Sequence, residues 1–176
     1  MRPAPVPYLE PVLAGVWWLL GSVALGQGLS TIVLAGGIGI TVALVILLRG
    51  RGGYGAPLPP GGRRRLLQLA VGALVLIVLG GIGLAHVGYA ELTCPLAAAV
   101  VGVTYMLTAP VLDDRAPLGA GALLLLLGAG AAVLALDSSG LFYAQGILGL
   151  GTGVTLWLSG AYRTGLLTDL RARVPR

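Results

Sequence analysis

The chain has 176 residues, the size of one ordinary domain. Apolar residues make up 57% of it and charged residues 10%, against ~25% charged in soluble domains, and its mean hydropathy is +0.96. Such a chain cannot build a hydrated surface, which excludes a soluble enzyme, a disordered protein and a nucleic-acid-binding domain. The pI near 10.0 therefore has to be explained by where the basic residues lie, not by a polyanionic partner. Cys94 is the one cysteine, so there is no intramolecular disulfide and no thiol-rich metal site, and it reads as a small apolar filler.

Uncharged runs mark the elements in chain order. They cover 11–48, 66–90, 92–112, 116–136 and 138–162. A membrane helix needs about 20 residues to cross a ~30 Å core. Four runs fit one helix each. The first would make a helix of about 57 Å at 1.5 Å per residue, too long for one crossing. It is broken by the turn-like cluster Gly26-Gln27-Gly28-Leu29-Ser30. The start is a poor signal peptide: Pro3, Pro5, Pro7, Glu10 and Pro11 spoil the leading region, and the apolar run passes the weak site at Ala24-Leu25-Gly26. The expectation is one all-α integral membrane bundle over 1–176, with six transmembrane helices at about 9–26, 31–48, 66–87, 91–112, 116–136 and 140–162. The 49–65 loop, rich in Gly and Pro, is expected to be flexible and cytoplasmic, its arginines able to touch anionic headgroups.

Charge placement sets the expected orientation. There is no lysine, and with six helices all eleven arginines fall on one side. That side holds both termini, the 49–65 loop and the Asp113-Asp114-Arg115 turn. Counting Glu10, Asp113, Asp114 and Asp169, it carries +7, while Glu91 and Asp137 give the other side −2. The positive-inside rule then places both termini in the cytoplasm of a multi-pass plasma-membrane protein.

The helices echo one another. Gly37-Ile-Gly39-Ile-Thr41 precedes Arg49 by eight residues, and Gly151-Thr-Gly153-Val-Thr155 precedes Arg163 by eight. A partial copy is Gly102-Val103-Thr104. First helices also match, in Gly15–Gly21, Gly72–Gly80 and Gly121–Gly128. The pattern predicts three repeated hairpins, each unable to pack alone. Glycine is 30 of 176 residues, more than twice the usual ~7%. Gly149-x-x-x-Gly153 and Ala35-x-x-x-Gly39 are small-residue motifs for close helix approach. They predict tight packing within one bundle, or a homo-oligomer through glycine-rich faces.

These hairpins resemble the HdeD-type family of small six-helix membrane proteins linked to acid resistance. The resemblance rests on the tryptophan-bearing first helix Gly15–Gly21, the glycines ending each half-hairpin, and the basic helix exits Arg49 and Arg163. The family often has a proline in its hairpin turns; here only the second turn does, at Pro95. The resemblance implies a non-enzymatic envelope or acid-stress protein and brings no catalytic motif with it.

Chemistry is expected at the outer ends. The apolar runs contain no Asp, Glu, Lys or Arg, which argues against an ion-coupled transporter. Hydroxyls within them, such as Ser22, Thr155 and Ser159, are expected to bond back to their own helices. Glu91 and Asp137, with His86, Tyr89, Tyr143 and Gln145, gather near one interface. Glu91 suits a helix N-terminus and Asp137 an N-cap. The alternative function is an integral-membrane enzyme, terpene-cyclase-like in principle. Glu91 and Asp137 would act as its acids on an isoprenoid or lipid, with Trp17, Trp18, Tyr89 and Tyr143 as walls and His86 and Gln145 in the binding set. A small channel or complex subunit is a third class. No cofactor, metal or nucleic acid is expected; membrane lipids are the expected partners.

Overall fold

The computed structural model describes residues 8–25, 29–52, 58–137 and 141–166. Those residues form six α-helices and no strand: α1 (Leu9–Val23), α2 (Leu29–Gly52), α3 (Gly62–His86), α4 (Thr93–Leu112), α5 (Ala116–Leu136) and α6 (Leu141–Arg163). A 3-10 turn, Ala90–Leu92, precedes α4. The segments Ser30–Gly50, Gly62–His86, Ala90–Leu112 and Ala116–Leu136 are long and apolar enough to cross a membrane, which marks a membrane protein. Their outward faces agree: Leu67, Leu79 and Leu126 are each more than 60% exposed, a display that water would not tolerate and lipid would. The Gly26–Gly28 part of the expected first turn, residues 53–57 of the loop and Ser138–Gly140 lie outside the described residues.

The helices pack in the order α2, α1, α6, α5, α4, α3. The two helices of each expected hairpin do touch, but the most extensive contacts join α4 to α5 and α1 to α6, across the expected hairpins rather than within them. Glycine explains why these two crossings are the closest. A Cβ on Gly149 would lie 2.5 Å from the backbone of Gly21, and one on Gly21 would lie 2.7 Å from the Leu150 nitrogen. Across the other crossing, a Cβ on Gly102 would lie 2.8 Å from the Gly121 carbonyl oxygen. Lipid gives no hydrophobic drive between helices, so backbone proximity and van der Waals contact must supply it. The Gly149-x-x-x-Gly153 motif is thus used inside the bundle, against Gly21, Ala14 and Trp18.

The core lies between these pairs, around Ala14, Ala98, Leu124, Leu148 and Leu156, with Trp17 and Tyr105. At the ends of the arc, α2 and α3 are largely exposed. The two Gly-x-Gly-x-Thr echoes have a common use. Gly37 of α2 and Gly153 of α6 both adjoin the ring of Trp18. That ring donates from Nε1 to the Val33 carbonyl at 2.7 Å and lies 4.7 Å from the Trp157 ring. Trp157 in turn donates to Thr41 Oγ1 at 3.2 Å. Trp18 and Trp157 are therefore packing elements whose N–H groups are satisfied across helices.

Candidate functional site

The strongest polar constellation joins both terminal helices to the α4–α5 turn. Glu10 is the second residue of α1 and only 1% exposed. Its Oε1 accepts from the hydroxyl of Tyr105 in α4 at 2.7 Å and pairs with Nη1 of Arg163, the last residue of α6. Arg163 Nε donates to Asp114 Oδ2 at 2.8 Å. The Tyr105 hydroxyl also lies 3.2 Å from Ser159 Oγ. Two carboxylates therefore share one guanidinium, whose planar fork suits two acceptors at once.

Local structure delivers each of these groups. Asp113 ends α4 in the left-handed conformation, φ 50°, which Asp tolerates better than bulkier residues. The Asp114 N–H then returns to the Ala109 carbonyl at 3.2 Å, closing the helix in a Schellman manner. Asp114 Oδ1 accepts the Ala116 N–H at 2.9 Å, satisfying the start of α5. Its other oxygen is left for Arg163. Tyr105 lies seven residues before the end of α4, about 10 Å inside the bundle at 1.5 Å per residue. In the sequence Glu10, Asp114 and Arg163 are charges of the loops and helix exits. The structure places the side chains of Glu10 and Arg163 within the packed bundle, each 1% exposed.

At the opposite end the sequence-predicted residues are only partly brought together. Glu91 sits in the 3-10 turn, half-buried, two residues ahead of α4 rather than opening it. That turn touches α3, α4 and α5. Asp137 follows α5 at its C-cap, exposed, with its N–H on the Val133 carbonyl at 3.1 Å. Its expected capping of α6 through Ser138 and Ser139, and the side chain of Tyr143, lie outside the described residues. His86 ends α3 and is exposed, as is Tyr89. Trp18 turns toward α2 and α6. Trp17 and Gln145 do meet, in a cavity of ≈ 230 Å³ that Leu20, Ala24, Cys94 and Leu148 help to line. Two larger grooves, of ≈ 810 Å³ between α4 and α5 and ≈ 380 Å³ between α3 and α4, are lined mainly by aliphatic residues and face outward. Neither Glu91 nor Asp137 lines any of the three.

The expected back-bonding hydroxyls are present: Ser22 donates to the Trp18 carbonyl at 2.7 Å and Thr155 to Gly151 at 2.8 Å. Ser159 instead joins the buried cluster. Thr152, fully buried between Leu148 and Leu156 on α6, has no partner for Oγ1 among the described residues. No group of three or more His, Cys, Asp or Glu suited to a metal occurs among them either. The chain matches no family model, no curated protein and no solved structure.

Proposed function

We propose that the chain is a multi-pass plasma-membrane protein whose six helices all cross the bilayer as three hairpins, with both termini in the cytoplasm, and that its role is non-enzymatic, of the envelope or acid-stress type that the HdeD-like resemblance implies. Two observations carry the non-enzymatic reading: Glu91 and Asp137, the acids the alternative needs, line none of the three cavities, and the buried Glu10 is held in the Glu10–Arg163–Asp114 cluster. A catalytic acid must reach the group it protonates. Here the buried carboxylate is engaged by Arg163 and Tyr105, so the cluster works as a clasp between α1, α4, α6 and the α4–α5 turn. The clasp lies at the end that carries the arginines, in keeping with cytoplasmic termini. At 15 residues, α1 is about 22 Å long. It crosses by local thinning of the bilayer, as short spans do, supported along its length by α6. Bilayer lipid covers the exposed faces of α2 and α3. A second copy of the chain would pack on the open Ala35–Gly39 face of α2, where Gly36 and Gly39 have no neighbour within 4 Å of an added Cβ.

The enzyme reading draws support from the meeting of Trp17 and Gln145 in one cavity. A single experiment separates the two. A strain lacking the gene is challenged with acid and complemented with the wild type, with a Glu91→Gln/Asp137→Asn double variant and with Arg163→Ala, while membrane lipids are profiled by mass spectrometry. The proposal expects poor survival of the deletion strain, full rescue by wild type and double variant, and little rescue by Arg163→Ala. Normal survival of the deletion strain would remove the stress role. A defined isoprenoid or lipid product lost in the double variant would make the protein an enzyme acting through Glu91 and Asp137.

A further inference from the structure

The cavity at the end opposite the clasp has the composition of a ligand site. It is enclosed by the last turns of α1 (Trp17, Leu20) and its C-cap Ala24, the first turns of α6 (Gln145, Leu148) and the start of α4 (Cys94). Its walls are aromatic and aliphatic apart from two groups, the Cys94 thiol and the Gln145 amide. The amide is half-buried and makes no hydrogen bond among the described residues. A carboxamide offers two donors and an acceptor, and one that faces an apolar cavity is a point where a ligand's polar group is recognised. The volume is ≈ 230 Å³; an engineered ~150 Å³ apolar cavity takes benzene, so this one takes an apolar body of about nine or ten heavy atoms.

We infer that this cavity binds a lipid-soluble molecule with a compact apolar body and a single hydroxyl or carbonyl, held by Gln145, with Trp17, Leu20 and Leu148 around the body and Cys94 at its side. Membrane-dissolved prenyl alcohols have this chemistry. The end of a phospholipid acyl tail shares the apolar body but lacks the polar group. The site stands whether or not the protein catalyses a reaction, because it requires no step beyond binding.

The chain reports on its own cavity, since Cys94 is its one thiol. The full chain is purified in mild detergent, and the rate of Cys94 modification by N-ethylmaleimide is measured against rising concentrations of geraniol or of n-decane. The expected result is saturable protection by geraniol, at least five-fold in rate, with decane at least ten-fold less potent. Gln145→Leu should bring the two probes to equal potency. Ala24→Leu, which fills the cavity from α1, should slow labelling without any probe and abolish the geraniol effect. It keeps the test decisive if Gln145→Leu does not fold, as judged by circular dichroism and size exclusion. Equal protection by decane and geraniol in the wild type would overturn the inference and assign the space to acyl tails. So would labelling that geraniol leaves unchanged, or protection by geraniol that persists in Ala24→Leu.

Discussion

Arg163 donates to Asp114 and pairs with Glu10, whose side chain is almost wholly withdrawn from solvent. Removing one partner of a buried pair leaves an uncompensated charge, at a cost of about 3–5 kcal/mol, whereas replacing both partners by apolar residues is often neutral or better. Arg163→Ala should therefore destabilise the bundle by about 3–5 kcal/mol, and Glu10→Leu/Arg163→Leu should recover most of that loss. Asp114, 31% exposed, can take water in place of the guanidinium. Tyr105→Phe removes the hydroxyl that Glu10 accepts from, and hydrogen bonds to charged groups contribute about 1.5–3 kcal/mol, so a smaller loss is expected there. Unfolding in mild detergent, followed by tryptophan fluorescence, reads all three variants. A double variant as unstable as Arg163→Ala alone would show that the two charges do not act as a pair.

Among the elements, the glycines divide into two sets by what surrounds them. Gly21 and Gly149 hold α1 and α6 in backbone contact. Gly149→Ala places a methyl 2.5 Å from the Gly21 backbone, and neither main chain can yield as a side chain would. Overpacking of this kind destabilises by about 1–3 kcal/mol. Gly130 on α5 has nothing within 4 Å of an added Cβ, so Gly130→Ala should be neutral or stabilising by up to about 1 kcal/mol through helix propensity. Opposite signs in the same unfolding assay are the expected outcome; equal losses would mean that composition, not contact, governs both sites. The six helices were legible in the sequence as uncharged runs, but not all of their ends: α2 continues through Arg49 and Arg51 to Gly52, and α3 begins at Gly62, ahead of Arg63, Arg64 and Arg65. Ala116–Leu136 of α5 coincides with the run between Arg115 and Asp137. The Gly-x-Gly-x-Thr echoes were legible as a pattern but not as a purpose, since only the packed structure shows Gly37 and Gly153 both adjoining Trp18. The clasp was not legible at all. Tyr105 and Glu10 are 95 residues apart, and a charge at a helix end looks the same in a sequence whether it points to water or into the bundle. The outer residues stand out because they interrupt an apolar chain, yet among the described ones it is Gln145 that shares a cavity with Trp17.

On the scale of the whole molecule, the two ends of the bundle differ in kind. One end gathers the clasp, the basic start of α3 at Arg63, Arg64 and Arg65, and the ends of α2, α4 and α6. The other holds the small cavity, Glu91 and Asp137, with no arginine. An arginine is expensive to carry across a bilayer, by about 2.5–3.5 kcal/mol on insertion scales, so in the proposed six-span topology, which puts all eleven on one side, they would fix the orientation strongly. Single cysteines introduced into a Cys94→Ala background test this directly, with a membrane-impermeant maleimide applied to intact spheroplasts and to opened membranes. Val87→Cys, on the exposed turn after α3, should react in intact spheroplasts. Arg64→Cys, exposed at the start of α3, should react only once the membranes are opened. Tyr8→Cys, at the N-cap of α1, should behave as Arg64→Cys does, because in the proposed topology α1 and α2 together return the chain to the side it left. Tyr8→Cys reacting with Val87→Cys in intact spheroplasts would mean that only one of α1 and α2 crosses, and since the clasp binds Glu10 to Arg163, the whole arginine-bearing end would have to be reassigned with it.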